Sequence, residues 1–348
     1  MSMKPVSWLL LLNGLYALLL ISITLFNRLG PDRFWLGALN FYLPQAMWAV
    51  PGVVLLILTL RLDRDWAVLP LLCVAYVFGP IMGYKWSLPP TGTEAAGTAV
   101  RVMTWNIKYG KHDLAPLIAE LQRCRPDVVL FQDAVHATTG PLADYFWNWQ
   151  VLSYGQYLIA SRYPLSSAQV REFPYLDKRK GNFLRCKLLV GKSEVSLYNI
   201  HFKTPRRGLN AFRQAKHDAW YLPVAIERFD TNVDVRRAQA EAVAGYLADE
   251  KGPVIVAGDF NSPSNSLVCE TLRDAGLRDA FDERGNGYGY SYGHFLLKNR
   301  LPWLRLSWMR IDHIMATSPM IPRRCWVGTG AASDHRPVVA DFILKDPA

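Results

Sequence analysis

Side chains able to grip a cation or move a proton stand where apolar runs stop. Residues 254–261 read VIVAGDFN: an apolar strand ends on Asp259 and Asn261. Two residues apart on an extended chain, these side chains share one face and can enter one cleft. The same pattern recurs. Asn106 closes VMTWN, Asp133 closes VVLFQD and His201 closes LYNIH. Asp312 interrupts MRIDHI, and Asp334 and His335 form SDHRP before the last apolar run. Carboxylates and a carboxamide suit a hard cation such as Mg²⁺, which takes oxygen ligands and keeps several waters. Histidines beside such an ion suit hydrogen bonding to phosphate oxygens or proton transfer. Together they describe phosphoryl transfer to water, with an acidic group orienting or deprotonating the nucleophile.

Strand-like and helix-like segments alternate around these positions. AVRVMTWNI, DVVLFQD, YGQYLIASRYPL, NFLRCKLLV, EVSLYNIHF, PVIVAGDFN, MRIDHIMAT and RPVVADFIL read as strands. APLIAELQRCRP, RRAQAEAVAGYLADE and SLVCETLRDAGL read as helices. Several strands follow one another with no helix between them. That pattern predicts two packed sheets flanked by helices rather than one doubly wound sheet.

The motifs TWNIKYG, LFQDA, ASRYPL, NIHF, AGDFNSP, RIDHI and SDHRPV occur in this order over about residues 100–343. This series resembles the endonuclease/exonuclease/phosphatase superfamily. The resemblance implies an α/β fold, a four-layer α/β-sandwich, and a divalent-metal-dependent phosphodiesterase or phosphatase. Carried over by position, Asn106, Asp133 and Asp334 would bind metal. His201 would contact the scissile phosphate. Asp259 would activate water with Asn261 beside it, and His335, oriented by Asp312, would bind phosphate or serve as acid/base. Arg185 is a weaker candidate for a phosphate contact. Asp133 departs from the family pattern, which has Glu. Its carboxylate is retracted by about 1.5 Å, one carbon–carbon bond. Mg²⁺ is the expected ion, and the retraction leaves Mn²⁺ or Ca²⁺ open. It is also the one feature that favours an alternative, an inactive binding module retaining the fold.

The chain has 348 residues and a net charge of +10. Residues 1–86 hold six Lys/Arg and three Asp/Glu, leaving 33 and 26 for the remainder. That first part reads as a membrane anchor. Uncharged runs at about 8–26, 43–60 and 66–84 approach the roughly 20 apolar residues needed to cross a bilayer, with Trp8, Tyr42, Trp66 and Tyr84 near their ends. Residues 87–99 read as a linker and 100–348 as the catalytic domain, preceded by three transmembrane α-helices. The expected location is the cell membrane, multi-pass. Basic residues nearly balance across the loops, so the charge rule favours an extracytoplasmic catalytic domain only slightly. Two segments bear on substrate. Residues 203–230 are basic, and residues 294–309 mix Trp and Leu with Lys and Arg. Both suit a nucleic-acid backbone or a lipid headgroup as the phosphate-ester substrate. No protein partner is implied. The cysteines are scattered, without zinc-like spacing.

Overall fold

A computed structural model describes residues 5–88, 97–110, 114–174, 181–293 and 306–345. It divides into two compact units, Met1–Lys85 and Trp86–Ala348.

Among the described residues, the first unit contains three helical stretches long and apolar enough to cross a membrane: Trp8–Arg28, Gln45–Leu62 and Arg64–Ile81. They pack through Tyr16, Leu20, Ala49, Cys73 and Val77. Only 22% of each span's residues are buried, so Leu11, Leu15, Leu18, Val53, Leu71 and Leu72 face outward. In water such faces would be costly.

Among the described residues, the second unit is built on twelve strands in two sheets. The first sheet runs in the order β11–β12–β1–β2–β4–β3. It contains β1 (Gly97–Asn106), β2 (Val128–Gln132), β3 (Gln150–Tyr154), β4 (Tyr157–Ser161), β11 (Met320–Val327) and β12 (Val338–Lys345). The second runs β5–β6–β7–β8–β10–β9. It contains β5 (Leu165–Glu172), β6 (Asn182–Val190), β7 (Ser193–His201), β8 (Val254–Asp259), β9 (Arg278–Asp279) and β10 (Asp312–Ala316). Between the sheets lie alternate residues of the central strands: Val100, Val102, Val128 and Leu130 meet Leu184, Leu197, Ile255, Ala257 and Ile314. The opposite faces of these strands are also buried. Helix Ala115–Cys124 covers the first sheet through Leu117 and Leu121. Helices Leu222–Ala248 and Leu267–Asp274 cover the second through Val243, Leu247, Val268 and Leu272. Burial on both faces explains why these strands read as continuous apolar runs. The architecture is the expected four-layer sandwich.

Local differences have physical causes. YGQYLIASRYPL is two elements, because β4 ends at Ser161 and the chain turns at Pro164 before β5. The strand expected from Ala99 begins at Gly97, pairing with Lys345 across β12. The Ala-rich helix expected at 236–250 is the second half of the longer Leu222–Ala248. All five cysteines are free and buried. Most of the expected segment 294–309 lies outside the described residues. Its last part, Leu306–Met309, is described, and Met309 pairs with Tyr292.

Candidate active site

The two central parallel pairs, β1–β2 and β7–β8, end at the same edge of the sandwich. Asn106 lies level with Gln132, and His201 lies level with Asp259. Asp312, at the start of antiparallel β10, also lies level with Asp259. Asp133 follows β2 directly. The Ser333–His335 turn is fixed to the end of β1: Ser333 Oγ donates to Asn106 O at 2.7 Å and Trp105 Nε1 donates to His335 O at 2.9 Å. The catalytic candidates are thereby mounted on strand ends from both sheets.

Asp259 is the centre of the group. Its Oδ2 accepts from Asn106 Nδ2 at 3.1 Å, and its Oδ1 accepts from the Asn261 N–H at 2.9 Å. His201 Nε2 lies 3.5 Å and His335 Nε2 lies 3.7 Å from Asp259 Oδ2. His335 is held from behind, with Nδ1 2.9 Å from Asp312 Oδ2. The Tyr292 ring lies over it, centroids 4.6 Å apart. His201 Nδ1 meets Gln156 Oε1 at 2.8 Å, which places a proton on Nδ1, and lies 3.7 Å from Asp133 Oδ1. Asp334 is paired with Lys108 Nζ at 2.8 Å. Ligand atoms of Asp259, Asp312 and His335 all lie within 4.8 Å of one another.

Burial and charge tune these groups against each other. Burial, reinforced by Asp312, raises Asp259 above the usual carboxylate range even though His335 and His201 oppose it. Burial alone would lower His335. The Asp312 and Asp259 carboxylates outweigh it and push the imidazole up to about 9. Asp334 goes the other way, since His335 and the Lys108 ammonium overcome its burial and hold it below the ordinary value. A proton-hungry carboxylate therefore faces a cationic imidazole, a pairing suited to base and acid roles.

Backbone strain gathers here as well. Among the described residues six non-glycine positions have positive φ, and Lys108, Tyr109, Asp133 and Asn261 are four of them. Such conformations persist only where the surroundings enforce them. Gly258, before Asp259, has φ +152°, and a Cβ there would lie 1.8 Å from Ile200 O. Only glycine lets β8 approach β7 closely enough to set Asp259 beside His201.

Residues 103–335 match the Endonuclease/Exonuclease/phosphatase family model. The chain belongs to the endonuclease/exonuclease/phosphatase family. Its sandwich is similar to the endonuclease/exonuclease/phosphatase from Beutenbergia cavernae, with a TM-score of 0.52, 20% identity, and coverage of 71% of this chain and 72% of that one. The 3′-5′ exonuclease NExo from Neisseria meningitidis gives a TM-score of 0.52 at 18% identity, covering 70% of this chain and all but 1% of that one (99%). D. rerio TDP2 complexed with a single-strand DNA product gives 0.51 at 18% identity over 70% and 98%. These likenesses show the fold. A UPF0294 protein of Yersinia pestis is 28% identical over 120 residues, 33% of this chain and 38% of its own length. The chain thus spans well under half the length of that curated relative.

In this family member, the expected residues Asn106, His201, Asp259, Asn261, Asp312 and His335 are linked by the contacts above, with Asp133 and Asp334 at their edge. Arg185 is not brought in. Its guanidinium donates to both oxygens of Glu250, at 2.9 and 3.0 Å, on the outer side of the second sheet. The buried carboxylate demands that pairing, and nothing within a few residues of Arg185 announces it. Sequence reasoning also missed Lys108, Gln156 and Tyr292. Lys108 lies within TWNIKYG, two residues after Asn106, and that spacing was a usable signal. Tyr292 sits in a Tyr/Gly-rich loop with no periodicity. Deeper in, Gln132 Nε2 donates to Asn199 Oδ1 at 2.7 Å, and Asn199 Nδ2 donates to Phe131 O and Leu158 O. This amide bridge joins the two sheets just behind the site.

The donor set fits a hard cation. Asp133, Asp259, Asp312 and Asp334 bring four carboxylates to one edge, and the Lys108 ammonium already rests on one of them. The candidate oxygens of Asn106, Asp133, Asp259, Asp312 and Asp334 are carboxamide or carboxylate, a class that divalent Mg²⁺, Mn²⁺ or Ca²⁺ takes.

Proposed function

We propose that the protein is a membrane-anchored, divalent-metal-dependent hydrolase of phosphate esters. The observation that carries this reading is the Asp259 carboxylate lying between two imidazoles, one of them held by Asp312. Asp259 would accept the proton of the attacking water. Asn106, donating to Asp259, would fix its orientation. His335, cationic and turned by Asp312, would donate to a phosphoryl oxygen or to the leaving group. His201 would bind a second phosphate oxygen, with the Asn261 amide close by. Asn106, Asp133 and Asp334 would hold the ion, Mg²⁺ or a larger relative. When bound, it would polarise the phosphoryl oxygen and neutralise developing charge.

The neighbours support a nucleic-acid substrate, since D. rerio TDP2 holds a single-strand DNA product and the Neisseria 3′ phosphatase NExo a product DNA hairpin. The basic domain and the apolar spans suit a lipid headgroup equally. Three crossings from an inside N-terminus would put the domain outside the cytoplasm, which a tag-accessibility assay on intact cells tests.

The deciding experiment assays the full chain, in detergent, on plasmid DNA and on phospholipid vesicles, with and without EDTA. Chelation should abolish turnover and Mg²⁺ or Mn²⁺ should restore it. Turnover that survives EDTA overturns metal dependence. One observation favours a second reading, a non-catalytic binding module: Lys108 already supplies a cation to Asp334. Calorimetric titration with Mg²⁺ and Mn²⁺ separates the two, because the module would bind neither.

A further inference from the structure

The basic segment after His201 folds into a helical hairpin, Arg206–Ala215 followed by Leu222–Ala248. Phe212 and Phe229 meet between the two helices, ring centroids 5.5 Å apart. Gly208 allows a close approach, since a Cβ there would lie 2.8 Å from the Phe229 ring. The hairpin is therefore a packed projection with a defined tip. At that tip Trp220 is 93% exposed, and Leu222 and Val224 are 41% and 38% exposed. A bare indole at a turn forfeits its apolar area unless something covers it. Exposed cations flank it in sequence, Arg213 and Lys216 before it and Arg228 after it, with the exposed Glu227 beside Arg228. The Arg228 guanidinium lies 5.5 Å from the Tyr221 ring centroid. The acidic Asp218 is used locally, accepting from the Trp220 N–H at 3.1 Å.

We propose that this tip is an interfacial membrane contact: Trp220, Leu222 and Val224 enter the headgroup layer of an anionic bilayer while Arg213, Lys216 and Arg228 pair with its phosphates. The inference rests on the membrane-anchored reading above. Two features select a lipid surface over other occupants. The first is charge complementarity, with exposed aromatic and aliphatic residues flanked in sequence by Arg213, Lys216 and Arg228, a composition shared with interfacial segments. The second is connectivity. The third apolar span ends at Ile81 and β1 begins at Gly97, so the covalent link keeps the domain beside any bilayer that holds the spans. Tethering of this kind lets a weak surface contact become populated.

The five native cysteines are free and buried, so a cysteine at 220 can be labelled selectively. The test is the full-length Trp220→Cys chain carrying an NBD dye, reconstituted into phosphatidylcholine/phosphatidylglycerol vesicles. The proposal expects the protein to float with the vesicles. It expects the dye to shift to the blue and to be quenched several-fold more by headgroup-level nitroxide lipid than by aqueous iodide. Adding Arg213→Glu and Lys216→Glu should reverse that preference in anionic vesicles. A floating protein whose dye answers to iodide alone overturns the tip contact and leaves the anchor standing. A dye shielded by added single-stranded DNA and not by lipid overturns it in favour of a nucleic-acid contact. Protein that fails to float overturns the anchored reading, and this inference with it.

Discussion

Asp312 grips His335 at Nδ1, 2.9 Å away, and so turns the opposite nitrogen toward Asp259, 3.7 Å from its Oδ2. Asp312 has no need to touch substrate to matter. Asp312→Asn should lower kcat by roughly 10²–10⁴-fold with little change in KM, the range for losing a positioned acid–base partner. The pH profile should move too. In the proposed mechanism His335 acts while protonated, so the wild-type rate should fall as pH rises through about 9. Without the Asp312 charge that limb should shift toward neutrality. An unmoved alkaline limb in Asp312→Asn would remove His335 as the acid.

Asp133 sits at φ +47° and presents a short carboxylate. Asp133→Glu extends the reach by about 1.5 Å but places a longer side chain on left-handed backbone, at a cost of about 1 kcal/mol. Activity should survive, and the ratio of Mg²⁺- to Mn²⁺-supported rates should rise several-fold. The melting temperature should drop by about 2–4 °C. Parallel metal titrations of the two proteins check this, and identical metal profiles would dismiss the short-carboxylate argument.

Gly258 should not tolerate alanine. The obstacle is the Ile200 carbonyl, a backbone atom of the neighbouring strand that cannot swing away. Gly258→Ala should cost about 3 kcal/mol or more from clash and strain together, and should separate Asp259 from His201. A denaturation midpoint equal to wild type would contradict the described β7–β8 register.

Glu250 offers a test remote from the site. It accepts from Arg185, Lys187, Ser196 and Tyr198. Burial would raise it, but these partners hold it down at about 2. A depressed carboxylate stabilises the fold above its unfolded value, near 4.3, and that contribution fades as pH falls toward 2. Glu250→Gln should therefore destabilise by on the order of 2 kcal/mol at pH 7, typical for lost hydrogen bonds to a charged group. The gap from wild type should narrow below about pH 4, because protonation removes the same charge. Urea melts at pH 7 and pH 3.5 measure it; a gap that stays constant would reject the ionised pairing.

The sheets were legible because their central strands are buried on both faces and read as apolar runs. The site was legible because polar side chains end those runs. Where either signal fails, the reading fails. β11 escaped notice because Pro322 and Arg323–Arg324 break its pattern, and the register shifts there. β3 is largely exposed and carries too few apolar residues to mark it. Arg185 was misplaced because its partner lies 65 residues away. Gln156 and Tyr292 reach the site by tertiary packing, which one-dimensional spacing does not encode. The N-terminal half of helix Leu222–Ala248 was read only as part of a basic segment, because Pro223 and scattered charges hide its apolar face.

The Gln132–Asn199 bridge has a consequence for how this molecule can change. Apolar faces resist separation but resist sliding poorly, since one greasy contact replaces another. A directional amide pair at 2.7 Å permits a single alignment. Half of the polar cluster hangs from each slab, so this latch makes two independent jaws into one tool. Aliphatic residues elsewhere between the slabs can then be exchanged for others of similar volume without disturbing the bite, whereas exchanging either amide for a hydrocarbon would blunt it while leaving the fold intact.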